Sequence, residues 1–430
     1  MRLSNFLKRF FEYFFYLFIF SLPWQTKLIL RSGETNYTEI SLYFCQLVLF
    51  VSLMSFLIYK FRRQEFGEHI PGVWYFLAGL ELFIFASFFV ASDQSLALYR
   101  YLVFLEALGL FYFLREGTEY KGYEESYLDK LTVVYVFLAS MFFQASLGVY
   151  QFLTQSTFSF KYLGLASHNP QELGVAVVET VSGRWLRAYG GFDHPNIFGG
   201  VLALALILSA YLLVKKKVLN STKEVFESIF LFIFYFFGLL ALFFSFSRAA
   251  WLALFLGFCV FFISLLIKKD RWLIGRFIAL MFFSVVFLFI IAMPYRDLLM
   301  VRIKAETRLE QKSLDDRGTY YYQAADLIKH NLIFGVGVGN YTTALNNKTD
   351  NQPAYINQPV HNVFLLILAE NGVFSLLFFV GFLICLILKD RRETYSGAIL
   401  VVLLTLMMLD HWLISLPFGV LFLFFALGLI

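Results

Sequence analysis

Charge is what this chain is short of. Of its 430 residues only 15% are Asp, Glu, Lys or Arg, against about 25% in an ordinary soluble domain, so a water-facing globule is excluded. Period-two alternation of apolar and polar residues is also missing, which removes the closed β-barrel as a way through a bilayer. The three cysteines, Cys45, Cys259 and Cys385, lie inside apolar segments at no metal-like spacing, which argues against a disulfide framework or a zinc site. There is no HExxH, no DxD and no carboxylate pair at ligand-like spacing, so neither a metal nor another cofactor is expected. GVGVGNY at 335–341 lacks the GK[ST] ending of a phosphate loop and stands in no βαβ context; it reads as a glycine-rich turn.

Hydrocarbon is what the chain has in abundance. It is 60% hydrophobic and 20% aromatic, and apolar runs of about 20 residues, each long enough to span a bilayer, recur from end to end. The expectation is an all-α polytopic membrane protein of about twelve transmembrane helices, near 8–24, 38–59, 71–92, 96–114, 131–153, 195–214, 226–246, 249–267, 272–293, 361–388, 395–410 and 414–430. This divides the chain into N-terminal helices (1–153), a first long loop (154–194), central helices (195–293), a large loop (294–360) and C-terminal helices (361–430). The N-terminal MRLSNFLKRFFEYFFYLFIFSLP has the charge and hydrophobicity of a signal peptide but no small-residue cleavage site, and reads as a retained first helix.

The net charge of +5 is a topology signal and not a nucleic-acid patch. Its basic residues fall in short clusters: Lys8–Arg9, Lys60/Arg62/Arg63, Lys215–Lys217, Lys268/Lys269/Arg271 and Lys389/Arg391/Arg392. The positive-inside rule makes these loops cytoplasmic, with both termini inside and both long loops outside. His168, His194, His330, His361 and His411 then fall on the outer side and only His69 on the inner. Histidine is the side chain suited to proton transfer near neutral pH, so chemistry is expected on the outer face. In the large loop, SLDDRGTYYYQAADLIKHN has helical spacing, with Tyr321, Ala324, Ala325 and Ile328 on one stripe and Ser313/Asp316 as a capping box. The reading is an amphipathic helix lying along the membrane surface.

Several polar residues stand out against the apolar pattern. RAYGGFDHPN (187–196) stands directly before NIFGGVLALALILSAYLL. Here Arg187 either meets an anion at the helix start, where Pro195 is accommodated and backbone N–H groups are free, or snorkels to the interface while Asp193 caps. Arg248, in FFSFSRAAWLALF, joins two spans through almost no loop; an arginine at membrane depth ordinarily faces a polar cavity. His361 opens a span as VHNVFLLILAENG beside Asn362, either as a cap or as a reactive group, and Arg317 is either solvated or part of a site. Glu81 and Glu106 fall at similar depth in neighbouring spans, hydrogen-bonded for structure or lining a path.

Taken in order, R-x-x-G-G-F-x-H-P-N, S-R-A-A-W at a helix junction, D-R-G with a following helix and GVGVGN, and H-N-x-F-L-x-x-x-A-E-N-G resemble the O-antigen ligase/polymerase superfamily over roughly residues 140–430, with Asp410-His411-Trp412 also fitting. The resemblance implies a GT-C-like architecture and a metal-independent glycosyltransferase of the bacterial inner membrane. Such enzymes move a glycan from undecaprenyl diphosphate to a hydroxyl on a glycolipid, a glycan or a protein. It further implies His361 as base, Arg248 and Arg317 as diphosphate contacts and Arg187 as a further cation, with His194, Asn196, Asn362 and Glu370 as candidate lining residues. A polymerase or a protein O-oligosaccharyltransferase would share the site. A lipid-linked-sugar flippase would be expected to carry internal repeats and charge along a central path, and neither is evident.

Overall fold

The computed structural model describes residues 2–63, 72–118, 127–181, 183–216, 221–305, 307–348, 356–389 and 394–430; His69, Lys217, Arg391 and Arg392 lie outside them. The chain opens with α1 (Arg2–Ser21), an antiparallel hairpin of β1 (Lys27–Arg31) and β2 (Ile40–Tyr43), and helices α2 (Phe44–Arg63), α3 (Gly72–Phe88), α4 (Gln94–Thr118) and α5 (Lys130–Thr154). A second hairpin, β3 (Val177–Thr180) and β4 (Gly183–Leu186), leads into α6 (Pro195–Lys215), α7 (Thr222–Ser245), α8 (Arg248–Lys268) and α9 (Arg271–Ala292). Among the described residues of the large loop are three helices: α10 (Arg296–Lys304), α11 (Arg308–His330) and α12 (Tyr341–Lys348). The chain ends with α13 (Val363–Lys389), α14 (Ser396–Leu409), the short α15 (Trp412–Ser415) and α16 (Pro417–Gly428).

Among the described residues eight helices, α2, α4 to α9 and α13, are long and apolar enough to cross a membrane. Each of the other four expected spans also falls on a helix. However, α3, α14 and α16 have only 17, 14 and 12 residues, and α1 carries Arg2, Lys8, Arg9 and Glu12. The second expected span begins late, because Ile40–Tyr43 pairs with Lys27–Arg31 as a strand before the helix starts at Phe44. The fold is all-helical with two small hairpins.

At its centre stands α6, buried along almost its whole length. Small residues make this possible by letting neighbours approach. A Cβ on Gly199 would lie 3.0 Å from Ala250 of α8, and one on Gly200 would lie 2.9 Å from Trp412. At the other extreme is α9, whose Ile278, Phe282, Phe283, Val285, Phe289 and Ile290 are exposed, an apolar surface suited to lipid tails.

The glycine-rich turn and the A-E-N-G stretch of α13 explain one another. Gly372 breaks α13 with φ 81° and ψ 178°, a conformation open to glycine and costly for other residues. Into the break fits the turn after α11: Val336 N–H donates to Ala369 O, Gly337 N–H to Glu370 O and Val373 N–H to Leu332 O, each at 2.9 Å. A Cβ on Gly372 would stand 1.9 Å from Ile333 O.

Two local expectations for α11 are corrected. The helix starts at Arg308, and Thr307 takes the N-cap position without a side-chain bond, so Ser313 and Asp316 lie inside it and form no capping box. Its buried stripe runs through Ala324 and Leu327, while Tyr321 and Ala325 are exposed. The physical reason is the partner: α11 packs on a small protein core with Tyr341, Leu345, Val360, Leu366 and Ala369, which sets a different rotation from one facing lipid.

Candidate functional site

The start of α6, the α7–α8 junction, α10, α11 and the residues before α13 enclose a cavity of about 440 Å³. Local sequence aims each of its side chains. At the α6 end, His194 is the N-cap and its Nδ1 accepts from Asn196 N–H at 3.1 Å, with Pro195 in the first turn. At the α7–α8 junction Phe246 adopts a left-handed conformation, φ 46°, and Ser247 caps α8 by accepting from Ala250 N–H at 3.4 Å. Two residues thus reverse the chain, and Arg248 becomes the first residue of α8.

A chain of contacts runs from Arg187 to His361. Arg187 is buried; its Nε donates to Ser245 O at 2.7 Å and its Nη2 to Asn196 Oδ1 at 2.8 Å. Asn196 Nδ2 donates to Asp410 Oδ2 at 3.2 Å. The other oxygen of Asp410 accepts from His411 N–H at 2.8 Å and lies 3.3 Å from His361 Nδ1, at ion-pair separation without the alignment of a hydrogen bond. The His361 ring is held between Tyr320, stacked at 5.9 Å and 28°, and His411, 4.7 Å away. His411 is fixed in turn by a 2.7 Å bond between its Nδ1 and Ser415 Oγ.

Burial, then Arg187, brings the pKa of His194 down to about 3, and burial, then His361, does the same to His411; both are neutral at physiological pH. Burial alone would raise Asp410. The close approach of the His361 and His411 rings and the His411 N–H outweigh it and hold Asp410 well below the usual carboxylate range.

The same cavity is rich in cations. Arg248 and Arg317 line it with Arg187, and so do Arg302 and Lys312. Arg248 Nη2 lies 3.0 Å from Glu310 Oε2, and the other Glu310 oxygen pairs with Arg302 Nη1. Next to the cavity, an apolar groove of about 710 Å³ runs between α7, α8 and α9, lined by Phe243, Trp251, Phe255, Met281 and Phe289 among others. The two share the first turns of α8, where Arg248 and Leu252 face the cavity while Trp251 and Phe255 face the groove.

Of the residues singled out in the sequence, His361, Arg248, Arg317, Arg187, His194 and Asn196 line this one cavity. Asn362 and Glu370 do not. Asn362 caps α13, accepting from Leu365 N–H at 3.0 Å. Glu370 lines a separate small cavity beside Arg100 and accepts from Gly339 N–H at 3.1 Å. Glu81 bonds to Tyr101 OH and Glu106 accepts from Gln46 Nε2 at 2.8 Å, each between neighbouring helices. His168 stacks on Tyr189 at 4.4 Å and His330 lies beside Asp326. Sequence reasoning matched Asp410 and His411 to the resemblance without giving them a role in the site, and left Arg302, Glu310 and Tyr320 out of it. A polar Asp-His pair breaking the run LLTLMMLDHWLISL was a usable signal for the first two; nothing separates Arg302 from Arg296 or Lys304 beforehand. His361, Asp410 and His411 also offer ligand atoms within 4.8 Å of one another, a grouping with the donor types of a metal site, although His411 Nδ1 and both Asp410 oxygens already have protein partners.

A family model described as O-antigen ligase matches residues 232–380, the stretch that holds Arg248, Arg302, Glu310, Arg317 and His361. No curated protein matches the chain. Residues 232–380 therefore carry an O-antigen ligase domain, and the chain is an O-antigen ligase-like multi-pass membrane protein.

Proposed function

We propose that the protein is an inverting glycosyltransferase that moves a glycan from undecaprenyl diphosphate onto an acceptor hydroxyl in surface-polysaccharide assembly, as a ligase. The observation that carries the reading is a carboxylate-backed histidine facing several guanidinium groups across one cavity, with an apolar groove alongside. On this reading α1, α3, α14 and α16 complete twelve spans of a GT-C-like architecture in the bacterial inner membrane, both termini are cytoplasmic and the cavity opens outward.

In the reaction the acceptor oxygen bonds to the anomeric carbon as the bond from that carbon to the diphosphate breaks, inverting the configuration. The hydroxyl proton passes to His361. With Nδ1 turned toward Asp410, Nε2 is the nitrogen that receives it, and the carboxylate stabilises the imidazolium that forms. The departing diphosphate needs little acid help but gathers charge. Arg248 and Arg317 meet that charge with forked donors, and Arg187 adds a fixed positive charge behind them. The polyprenyl tail lies in the groove between α7, α8 and α9. The acceptor hydroxyl enters near His194 and Asn196.

The test is transfer in vitro from a polyprenyl-diphosphate-linked glycan with a chelator present. Arg248→Ala and His361→Ala should each lose at least about 100-fold in rate while still inserting in membranes. Full transfer by both variants would discard the assignment.

A further inference from the structure

Arg302 and Glu310 belong to no motif, yet they are more deeply buried than Arg248 and Arg317, which do: Glu310 is 4% exposed and Arg302 8%. Together with Arg248 they close a ring across three elements. Arg302 Nε and Nη2 both donate to Phe246 O, at 3.1 and 2.8 Å, and its Nη1 pairs with Glu310. Glu310 reaches Arg248 Nη2 at 3.0 Å, and Arg248 Nη1 donates back to Arg302 O at 3.2 Å. One edge of the Arg248 guanidinium is therefore held at both of its terminal nitrogens, Nη1 by a hydrogen bond and Nη2 by an ion pair, while the side chain stays 36% exposed on the cavity wall.

A buried ion triad is poor evidence for stability, because well-packed apolar residues often serve as well. What this triad supplies is direction. A guanidinium presents its donors in a rigid plane, so fixing one edge fixes where the remaining N–H groups point. The ring also sits on Phe246, the residue in left-handed conformation that turns α7 into α8, so the orientation of Arg248 is set against the backbone that carries it.

Resting on the functional reading above, we propose that Glu310, seconded by Arg302, is a positioning residue that acts through Arg248, holding its fork in the attitude that receives the donor diphosphate. It touches neither the sugar nor the acceptor.

The experiment is steady-state transfer by the full-length protein with Glu310→Gln, which keeps size and removes charge. The expected result is a fall in kcat of about tenfold or more, since misaimed donors lose transition-state contacts, with KM for the acceptor unchanged and partial recovery in Glu310→Asp. The same substitution on an Arg248→Lys background, where no fork remains to be aimed, should add less than about threefold, because residues that act as one unit are non-additive. Wild-type kcat in Glu310→Gln, or an equal loss on both backgrounds, would overturn the proposal. Should Glu310→Gln fail to fold, Arg302→Lys carries the same pair of measurements. Full activity of Arg248→Ala would instead sink the broader functional reading.

Discussion

The smallest unit that decides this site is Asp410. It follows the last residue of α14, beside His411, and is reached by His361 from the residues before α13 and by Asn196 from α6. If it orients the base and supports its positive form, Asp410→Asn should lower kcat by about 100-fold or more while donor binding persists; initial rates beside a donor-binding assay check this, and an unchanged rate would strip the carboxylate of that role. His194 gives a contrasting expectation. Its ordinary value of 6.5 falls to about 3 on folding, so between those pH values the folded chain binds fewer protons than the unfolded one and stability declines as pH drops. His194→Asn, which preserves an N-cap acceptor, should flatten that decline in thermal unfolding from pH 7 to 4. The pH–rate profile should keep its midpoint, because the histidine removed was neutral throughout; a shifted midpoint would mean that His194 titrates in turnover.

At the level of the element, the interlock of α13 with the glycine-rich turn is the point of least tolerance. Gly372→Ala meets both a positive φ, worth about 1–3 kcal/mol for a non-glycine residue, and the Ile333 carbonyl 1.9 Å from the new carbon. The melting temperature in detergent should drop markedly. Gly275→Ala, in α9 with open space around it, should match or slightly exceed the parent; equal melting of the two variants would show that the interlock is not tight. The helices themselves were legible in advance because a spanning helix satisfies its backbone internally, so a local apolar run is enough to place it. The stripe on α11 was legible only in part: Ala324 and Ile328 were placed on it, but Leu327, buried with Val360 and Leu366, was not, because no local periodicity encodes the approach of those residues. The strand Ile40–Tyr43 was hidden for the same reason: it exists only by pairing with Lys27–Arg31.

For the molecule as a whole, the cationic cavity and the apolar groove make one amphipathic receptacle along α8. If the groove houses the carrier tail, filling it should penalise long carriers selectively. Val285 lines it and is 66% exposed, so Val285→Trp adds bulk without disturbing the core. KM for a full-length polyprenyl donor should rise about tenfold, on the scale of a few lost methylene contacts, while a donor with two isoprene units is unaffected. An equal response to both would place the tail elsewhere. At this scale the order of motifs in the resemblance grouped His361 with Arg248, Arg317, Arg187 and Asn196; all but Arg317, which lies inside α11, also stand at the mouth of an apolar helix. It concealed the Arg302–Glu310 ring and the bracing of His361 by Asp410, which depend on α10, α11 and α14 coming together in three dimensions.

The braces of the imidazole come from opposite ends of the polypeptide. Arg187 and Asn196 precede the matched stretch 232–380, and Asp410 follows it. A protein trimmed to that stretch would keep Arg248, Arg302 and Arg317, yet its histidine would have lost its anchor. If the proposed mechanism holds, competence would arrive late in biogenesis: until α14 has been made and inserted beside α6, a nascent chain already holding every arginine of the cavity would grip a charged headgroup and do nothing with it.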